Sequence, residues 1–321
     1  MKHFAPVTIV INAHHGSAAL NRTLESVAAA NPQAAEVIVA TDALDLAIRE
    51  AWPSVKLLRL PENRSPCTAR NISLAEITTP YVMFLDAEDC ISTTLLGHLC
   101  WTAEKDRADL AFASHAIEKT NGKISIVAAS KLKHARELLD YWLSGKFVPP
   151  CSVVWRTEFL RHLGGWDETL AQNQDGDLIH RALFGNARVS WSRAGYGIYV
   201  QRDSNTRVSK LMTPQAIASQ FHVLERVERM NTVSGLLPDH HIGKAWYMLA
   251  RKLYGRGKTT HAQKALTRAR ELGFKGHTGT PLQRMAAYLL GLEQKAKMAS
   301  NFRRSIYTAL KSLPKGLPNK A

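Results

Sequence analysis

Three carboxylates fall within four residues of this chain, Asp86, Glu88 and Asp89, at the end of the apolar run Tyr81–Leu85. Hard oxygen donors at that density can hold a divalent cation, and a cation so held can hold a diphosphate. The same residues also suit a solvated acidic turn ahead of a helix starting near Ser92, because acids favour turns and helix N-termini. Within the decapeptide YVMFLDAEDC both readings stand, and the elements around it must separate them.

Val82–Leu85 has the β-branched and aromatic content of a buried strand, bounded by Pro80 on one side and charge on the other. Upstream, residues 7–12, 37–40 and 55–60 read as strands. The stretches between them, 18–30, 44–52 and 65–77, read as helices, with Ser17 as an N-cap and Pro66 in a first turn. Strands alternating with helices of this length mean βαβ units, so the expected fold is an α/β domain on a Rossmann-like, mostly parallel sheet. In such open sheets ligands lie beyond the carboxyl ends of the strands, and right-handed crossovers gather those ends on one rim. Asn12, Asp42 and Asp86 then share that rim.

Past the acidic cluster the rhythm changes. Residues 95–104 read as a helix, and 109–117 with 124–129 as a hairpin about Asn121-Gly122. A helix over 134–143, a strand over 152–155 and a short helix over 158–163 follow. Gly164–Leu183 begins as a polar loop and ends as a helix, and 188–191 and 196–201 read as closing strands. From Pro214 onward the spacing is helical throughout, over 216–230, 243–254, 261–272 and 281–310. The pair 246–254 and 262–269 resembles a single tetratricopeptide-like hairpin, too few for a solenoid. These patterns divide the chain into an α/β domain, 1–210, and an all-α region, 211–321.

Charge divides the chain at the same place. Residues 1–210 hold 23 Lys/Arg against 22 Asp/Glu, and residues 211–321 hold 19 against 5, so nearly all of the net +15 belongs to the C-terminal third. Four scattered cysteines without metal-ligand spacing suit a reducing compartment. No window is apolar enough to span a membrane. The expected location is the cytoplasm or a cytoplasmic membrane face.

The order of these features resembles the inverting nucleotide-sugar glycosyltransferases of family 2, which have the A-type glycosyltransferase fold. The resemblance covers about 7–209. It is carried by five pieces in family order: VTIVINAHH, IVATD, NRSPCTARN, FLDAEDC, and GGWDE followed by Gln174-Asp175. It implies that Asn12, Ala13 and Asp42 meet the nucleotide base and that Arg70 contacts the nucleotide. It implies that Asp86, Glu88 and Asp89 serve the ribose and a bound Mg²⁺ or Mn²⁺, and that Asp175 is the general base. Departures from the family pattern are Asn12-Ala13-His14-His15 at the first strand, Thr41 before Asp42, Glu88 in place of Asp, and Gln174 before the base.

The implied reaction is displacement at an anomeric carbon with inversion, moving a sugar from a nucleotide-diphosphate donor to a hydroxyl of a glycan or lipid-linked acceptor. A metal bridging the diphosphate neutralises the leaving group. A carboxylate base contributes about 10²–10⁴-fold. Asp177 is the second candidate for the base, and His180 a third. Arg202 and Arg207 follow the last strand and are candidate diphosphate partners, with the forked guanidinium suited to the task. Trp166 and Asp167 are candidate acceptor residues, and Trp166 suits core packing equally well.

The basic region carries no helix-turn-helix, RNA-binding or zinc-finger signature, which argues against a nucleic-acid partner. Its last stretch combines Lys295, Lys297, Arg303, Arg304 and Lys311 with Leu289, Leu290, Leu292, Met298, Phe302, Ile306 and Leu310. Such a basic amphipathic helix can lie on an anionic leaflet or pack on the catalytic domain. Two other classes of function fit the sequence: a glycan- or nucleotide-binding module that has lost catalysis, and a scaffold whose function is its basic region.

Overall fold

The computed structural model describes residues 4–13, 18–42, 46–61, 65–129, 132, 134–201, 212–278, 280–282 and 284–295. The chain forms two compact units, Met1–Trp142 with Lys146–Leu236, and Leu143–Gly145 with Leu237–Ala321.

The first unit carries strands β1 (Phe4–Ala13), β2 (Gln33–Thr41), β3 (Lys56–Arg59), β4 (Tyr81–Asp86), β5 (Cys90–Ile91), β6 (Leu110–Lys119), β7 (Ile124–Val127), β8 (Val153–Arg156) and β9 (Val189–Gln201). They form one sheet in the order β3-β2-β1-β4-β8-β6-β9-β5, with β7 paired to β6. The pairs β3–β2, β2–β1 and β1–β4 are parallel, as expected from the βαβ rhythm. The second half is mixed, because β8 lies antiparallel to both β4 and β6. The two expected closing strands are one strand, β9. It bends where the Ser192 hydroxyl donates to Ala194 O and Gly195 takes φ +76°. Gly195 is needed there: a Cβ would fall 2.5 Å from Leu95 Cα.

Helices α1 (Ala18–Ala28), α2 (Leu46–Ala51), α3 (Pro66–Glu76), α4 (Leu95–Lys105), α5 (Ala135–Leu143), α6 (Thr157–His162), α7 (Gln174–Phe184) and α8 (Pro214–Ser234) accompany the sheet. The core joins Val7, Ile9 and Ile11 of β1 to Leu20, Leu24 and Val27 of α1 and Leu95, Leu96 and Leu99 of α4. Each such side chain contributes roughly 1.5–3 kcal/mol by leaving water. Tyr81–Leu85 is buried along its whole length, as befits a central strand covered on both faces. Helix α3 begins at Ser65, whose hydroxyl accepts the Thr68 N–H at 3.2 Å, with Pro66 at its first position. Helix α8 repeats the device with Thr213 and Pro214, and it stops at Gly235 with φ +60°.

The compact units divide after Leu236, so α8 packs with the first unit although its sequence reads as part of the C-terminal helical region. In the second unit α9 (Asp239–Tyr254) and α10 (Thr259–Glu271) pair through buried Trp246, Leu249 and Tyr254 against Ala262, Ala265 and Ala269. Residues 281–282 and 284–295 are helical, and the rest of the expected helix to 310 lies outside the described residues.

Candidate active site

The carboxyl ends of β1, β2 and β4 meet as expected: Asn12 lies opposite Asp86 on one side and opposite Ala40 on the other. Asp42 follows β2 directly, and Ala13 is buried opposite Thr41. Both polar atoms of the Asn12 amide are buried without a hydrogen-bond partner among the described residues. A buried, unpaired amide is costly unless a ligand completes it.

Asp86–Asp89 is a tight turn, closed by the Asp89 N–H donating to Asp86 O at 3.0 Å. The turn sorts its acids. Asp86 stays open, while Asp89 is buried, and its Oδ1 accepts the Val200 N–H of β9 at 2.9 Å. Burial, with the charge of Asp86 beside it, holds the Asp89 carboxyl well above the ordinary carboxylate range. Asp89 thus fastens the turn to β9 through Oδ1, while its Oδ2 is buried without a hydrogen-bond partner among the described residues. Among the described residues no three His, Cys, Asp or Glu side chains converge as a cage for a metal. Asp86 and Glu88 remain at the open turn. Two carboxylates suit an ion of the Mg²⁺ type, which takes one or two protein carboxylates and fills its other positions with phosphate oxygens and water.

Helix α3 brings Arg70 to the same edge. Its guanidinium is buried and spans two acids: Nη2 donates to Asp86 Oδ1 at 3.0 Å, and Nη1 lies 3.5 Å from Asp175 Oδ1. Burial would lower its pKa, but the adjacent Asp175 and Asp86 outweigh that and raise it. Asp175 sits in the first turn of α7 and also accepts the Trp166 indole N–H at 2.9 Å. The Trp166 ring is buried, edge-on to Phe84 with centroids 4.6 Å apart and with Arg70 5.5 Å from its own centroid. Of its two expected roles the structure realises core packing; an acceptor finds no open ring face there.

The Gly164–Glu168 loop is tied to α3. Asn71 Oδ1 accepts the Trp166 N–H at 2.9 Å, and its Nδ2 donates to Trp166 O and to Glu168 Oε1, each at 2.9 Å. The Thr68 hydroxyl donates to Glu168 Oε2 at 2.7 Å. Gly165 adopts φ +65°, and a Cβ there would lie 2.3 Å from Asn71 Oδ1; Gly164 adopts φ +78° with nothing within 4 Å. Gln174, in place of an acid, donates to Leu170 O at 3.2 Å within the same loop.

A second arginine closes the far side. Arg226 of α8 donates from Nη2 to Asp167 Oδ2 and from Nη1 to Asp177 Oδ1, both at 2.7 Å. Asp177 also accepts Arg181 Nε at 2.8 Å. Asp167 accepts the Thr169 N–H and hydroxyl, at 3.0 and 2.6 Å. Burial opposes ionisation of Asp167, but these partners win and hold its carboxyl at about 2. Asp167 thus anchors the loop to α8. Asp177 is saturated, which leaves Asp175 as the open carboxylate of α7. His180 is buried and neutral, its pKa pushed down to about 4 by burial, so it is not a surface base. Arg202, Arg207, His14 and His15 lie outside the described residues.

Sequence reasoning missed Arg226 and Ser219, whose hydroxyl accepts the Ala171 N–H at 2.9 Å. A signal existed: Ser219, His222 and Arg226 recur at helical spacing beside the buried Val223 and Val227.

Comparison with known proteins bears on the whole arrangement. Residues 8–164 match the model of glycosyl transferase family 2. The pre-mycofactocin glycosyltransferase of Mycobacterium tuberculosis is 26% identical over 200 residues, 58% of this chain and 40% of that protein. The succinoglycan biosynthesis protein ExoU of Rhizobium meliloti is 30% identical over 218 residues, 62% of this chain and 63% of that protein. The chain thus spans less than two-thirds of either relative. The crystal structure of S. aureus TarS 1–349 in complex with UDP-GlcNAc shares the fold, with a TM-score of 0.64 and 15% identity over 93% of this chain and 92% of that one.

Proposed function

We propose that this chain, whose first unit is a family 2 glycosyltransferase domain of the A-type fold, moves a sugar from a nucleotide-diphosphate donor to a hydroxyl of a glycan or lipid-linked acceptor. The observation that carries the reading is Arg70. One buried guanidinium fixes an open acid on the nucleotide side, Asp86, against the one open acid of α7, Asp175.

Each residue then has a task. The unpaired amide of Asn12 and the carboxylate of Asp42 receive the nucleotide base at the rim. Asp86 accepts from the ribose. Glu88 and Asp86 would hold a Mg²⁺ or Mn²⁺ ion, which would supply neutralisation of the diphosphate charge. Arg70, with its proton secured by two carboxylates, supports the same charge as it develops. Asp175 takes the proton of the attacking hydroxyl at a carboxylate oxygen. The Trp166 N–H and Arg70 hold that carboxylate in place, and attack opposite the leaving diphosphate inverts the anomeric carbon. One named relative is a succinoglycan biosynthesis protein, which favours a cell-surface polysaccharide or a lipid-linked intermediate as the product class.

The test is a panel of UDP-, GDP-, CMP- and dTDP-sugars with the purified chain, with and without Mn²⁺, read by thermal shift and by release of nucleotide. Stabilisation by one nucleotide that requires the metal is expected. Undiminished turnover by Asp175→Asn would remove Asp175 as the base, and release of nucleotide from no donor would remove the catalytic reading altogether.

A further inference from the structure

The positive charge of this protein belongs to one unit. Residues 237–321 contain 17 Lys/Arg and three Asp/Glu, a surplus of +14 within the whole-chain +15. The three acids are Asp239, Glu271 and Glu293, and Glu271 is taken by Arg268 at 2.8 Å. Cations crowd one another elsewhere in the unit. Burial and Arg256 lower the pKa of Lys252, and burial and Arg251 lower that of Lys295. A surface that leaves like charges adjacent is suited to an anion from outside the chain.

Beside this charge lies an exposed apolar stripe. Leu282, Met285 and Leu289 fall on one side of the helical segment at spacings of three and four, with Tyr288 next to them. They are 70%, 55%, 69% and 78% exposed, whereas Ala287 on the opposite side is buried. The exposed Arg284 flanks the stripe, and Gly291, with φ +75°, interrupts the segment before buried Leu292. Contiguous exposed aliphatic side chains mark a contact surface. Among the described residues no helix is long and apolar enough to cross a membrane, so the stripe suits lying on a surface rather than spanning one. Residues 296–321 add six Lys/Arg and no acid to the sequence that follows.

We propose that the second unit docks on an anionic lipid leaflet, seating Leu282, Met285, Tyr288 and Leu289 among the acyl chains while its cationic side chains meet the lipid phosphates. Charge alone would accept any polyanion. The apolar stripe adds a demand that a leaflet meets together with the charge. The inference does not depend on the transferase reading of the first unit.

Flotation of the full chain with phosphatidylcholine vesicles, and with the same vesicles containing phosphatidylglycerol, tests it. Uptake should require phosphatidylglycerol, weaken at high salt, and fall roughly tenfold or more in Leu282→Glu/Leu289→Glu. Because both positions are exposed, the variant should keep the wild-type Tm. Equal uptake by wild type and variant would overturn the proposal. So would a failure of both to float, whether the wild type then forms a dimer that the variant dissolves or both bind a soluble acidic polysaccharide alike.

Discussion

Two arginines in this molecule do the same geometric thing with opposite results. Arg70 bridges Asp86 and Asp175, and Arg226 bridges Asp167 and Asp177. At the first bridge the acids keep 47% and 35% of their side-chain surface; at the second they keep 16% and 1%. The open pair retains oxygens that a ligand or a proton can reach. The closed pair has its oxygens occupied by Thr169, Arg181 and Arg226 and can only hold shape. Residue type does not distinguish a chemical acid from a structural one along this stretch. Solvent access and the number of donors already in place do.

The contrast can be broken at either bridge. The largest expected effect is on turnover. Asp175→Asn should lower it by about 10²–10⁴-fold while leaving the urea midpoint nearly unchanged, since an amide oxygen still accepts the Trp166 N–H. Asp177→Asn, two residues away, should do the reverse, and equal losses of activity in both would erase the distinction. Next comes Arg226→Met. It strips one partner from a buried carboxylate and should lower stability by about 3 kcal/mol in urea unfolding. Asn71→Ala orphans the Trp166 N–H and should cost about 1–3 kcal/mol, read the same way. The smallest effect is a pH dependence. Folding holds the Asp167 carboxyl at about 2, below its unfolded value near 4. Its stabilisation is therefore complete above pH about 4 and is lost as pH falls toward 2. Unfolding of Asp167→Asn compared with wild type at pH 5 and pH 3 should show a gap that narrows at the lower pH.

The parallel half of the fold was legible because β1 and β4 are buried along most of their length and α3 carries a capped start: Val7–Asn12, Tyr81–Asp86 and the Ser65-Pro66 start of α3 lie where their patterns put them. The mixed half was harder. Two-residue β5 has no periodicity to detect, and β9 reads as two strands because Ser192 and Gly195 interrupt its pattern at the bend. Of the candidate site, the placement of residues at one edge of the sheet was legible, and the direction of each side chain was less so. Asp86, Arg70 and Asp175 meet as their motifs imply. Asp89, Trp166 and Asp167 carry the right letters in the right motifs but turn inward, and the direction of a side chain at a turn or in a loop depends on partners such as Val200 and Arg226 from distant elements. Arg226 itself belongs to a helix whose sequence groups it with the basic region.

The two neighbouring glycines of the loop differ in what they allow to vary. Both need left-handed backbone, but Gly164 faces open space while Gly165 leaves room only for the Asn71 amide. Under random mutagenesis with selection for a working loop, position 164 should therefore admit asparagine or aspartate, which tolerate that backbone best among side-chain-bearing residues. Position 165 should return glycine alone, or a substitution accompanied by a smaller residue at 71. The loop ahead of α7 and its Asp175 thus carries a mutational lock to α3, visible as a paired constraint rather than as a single invariant residue.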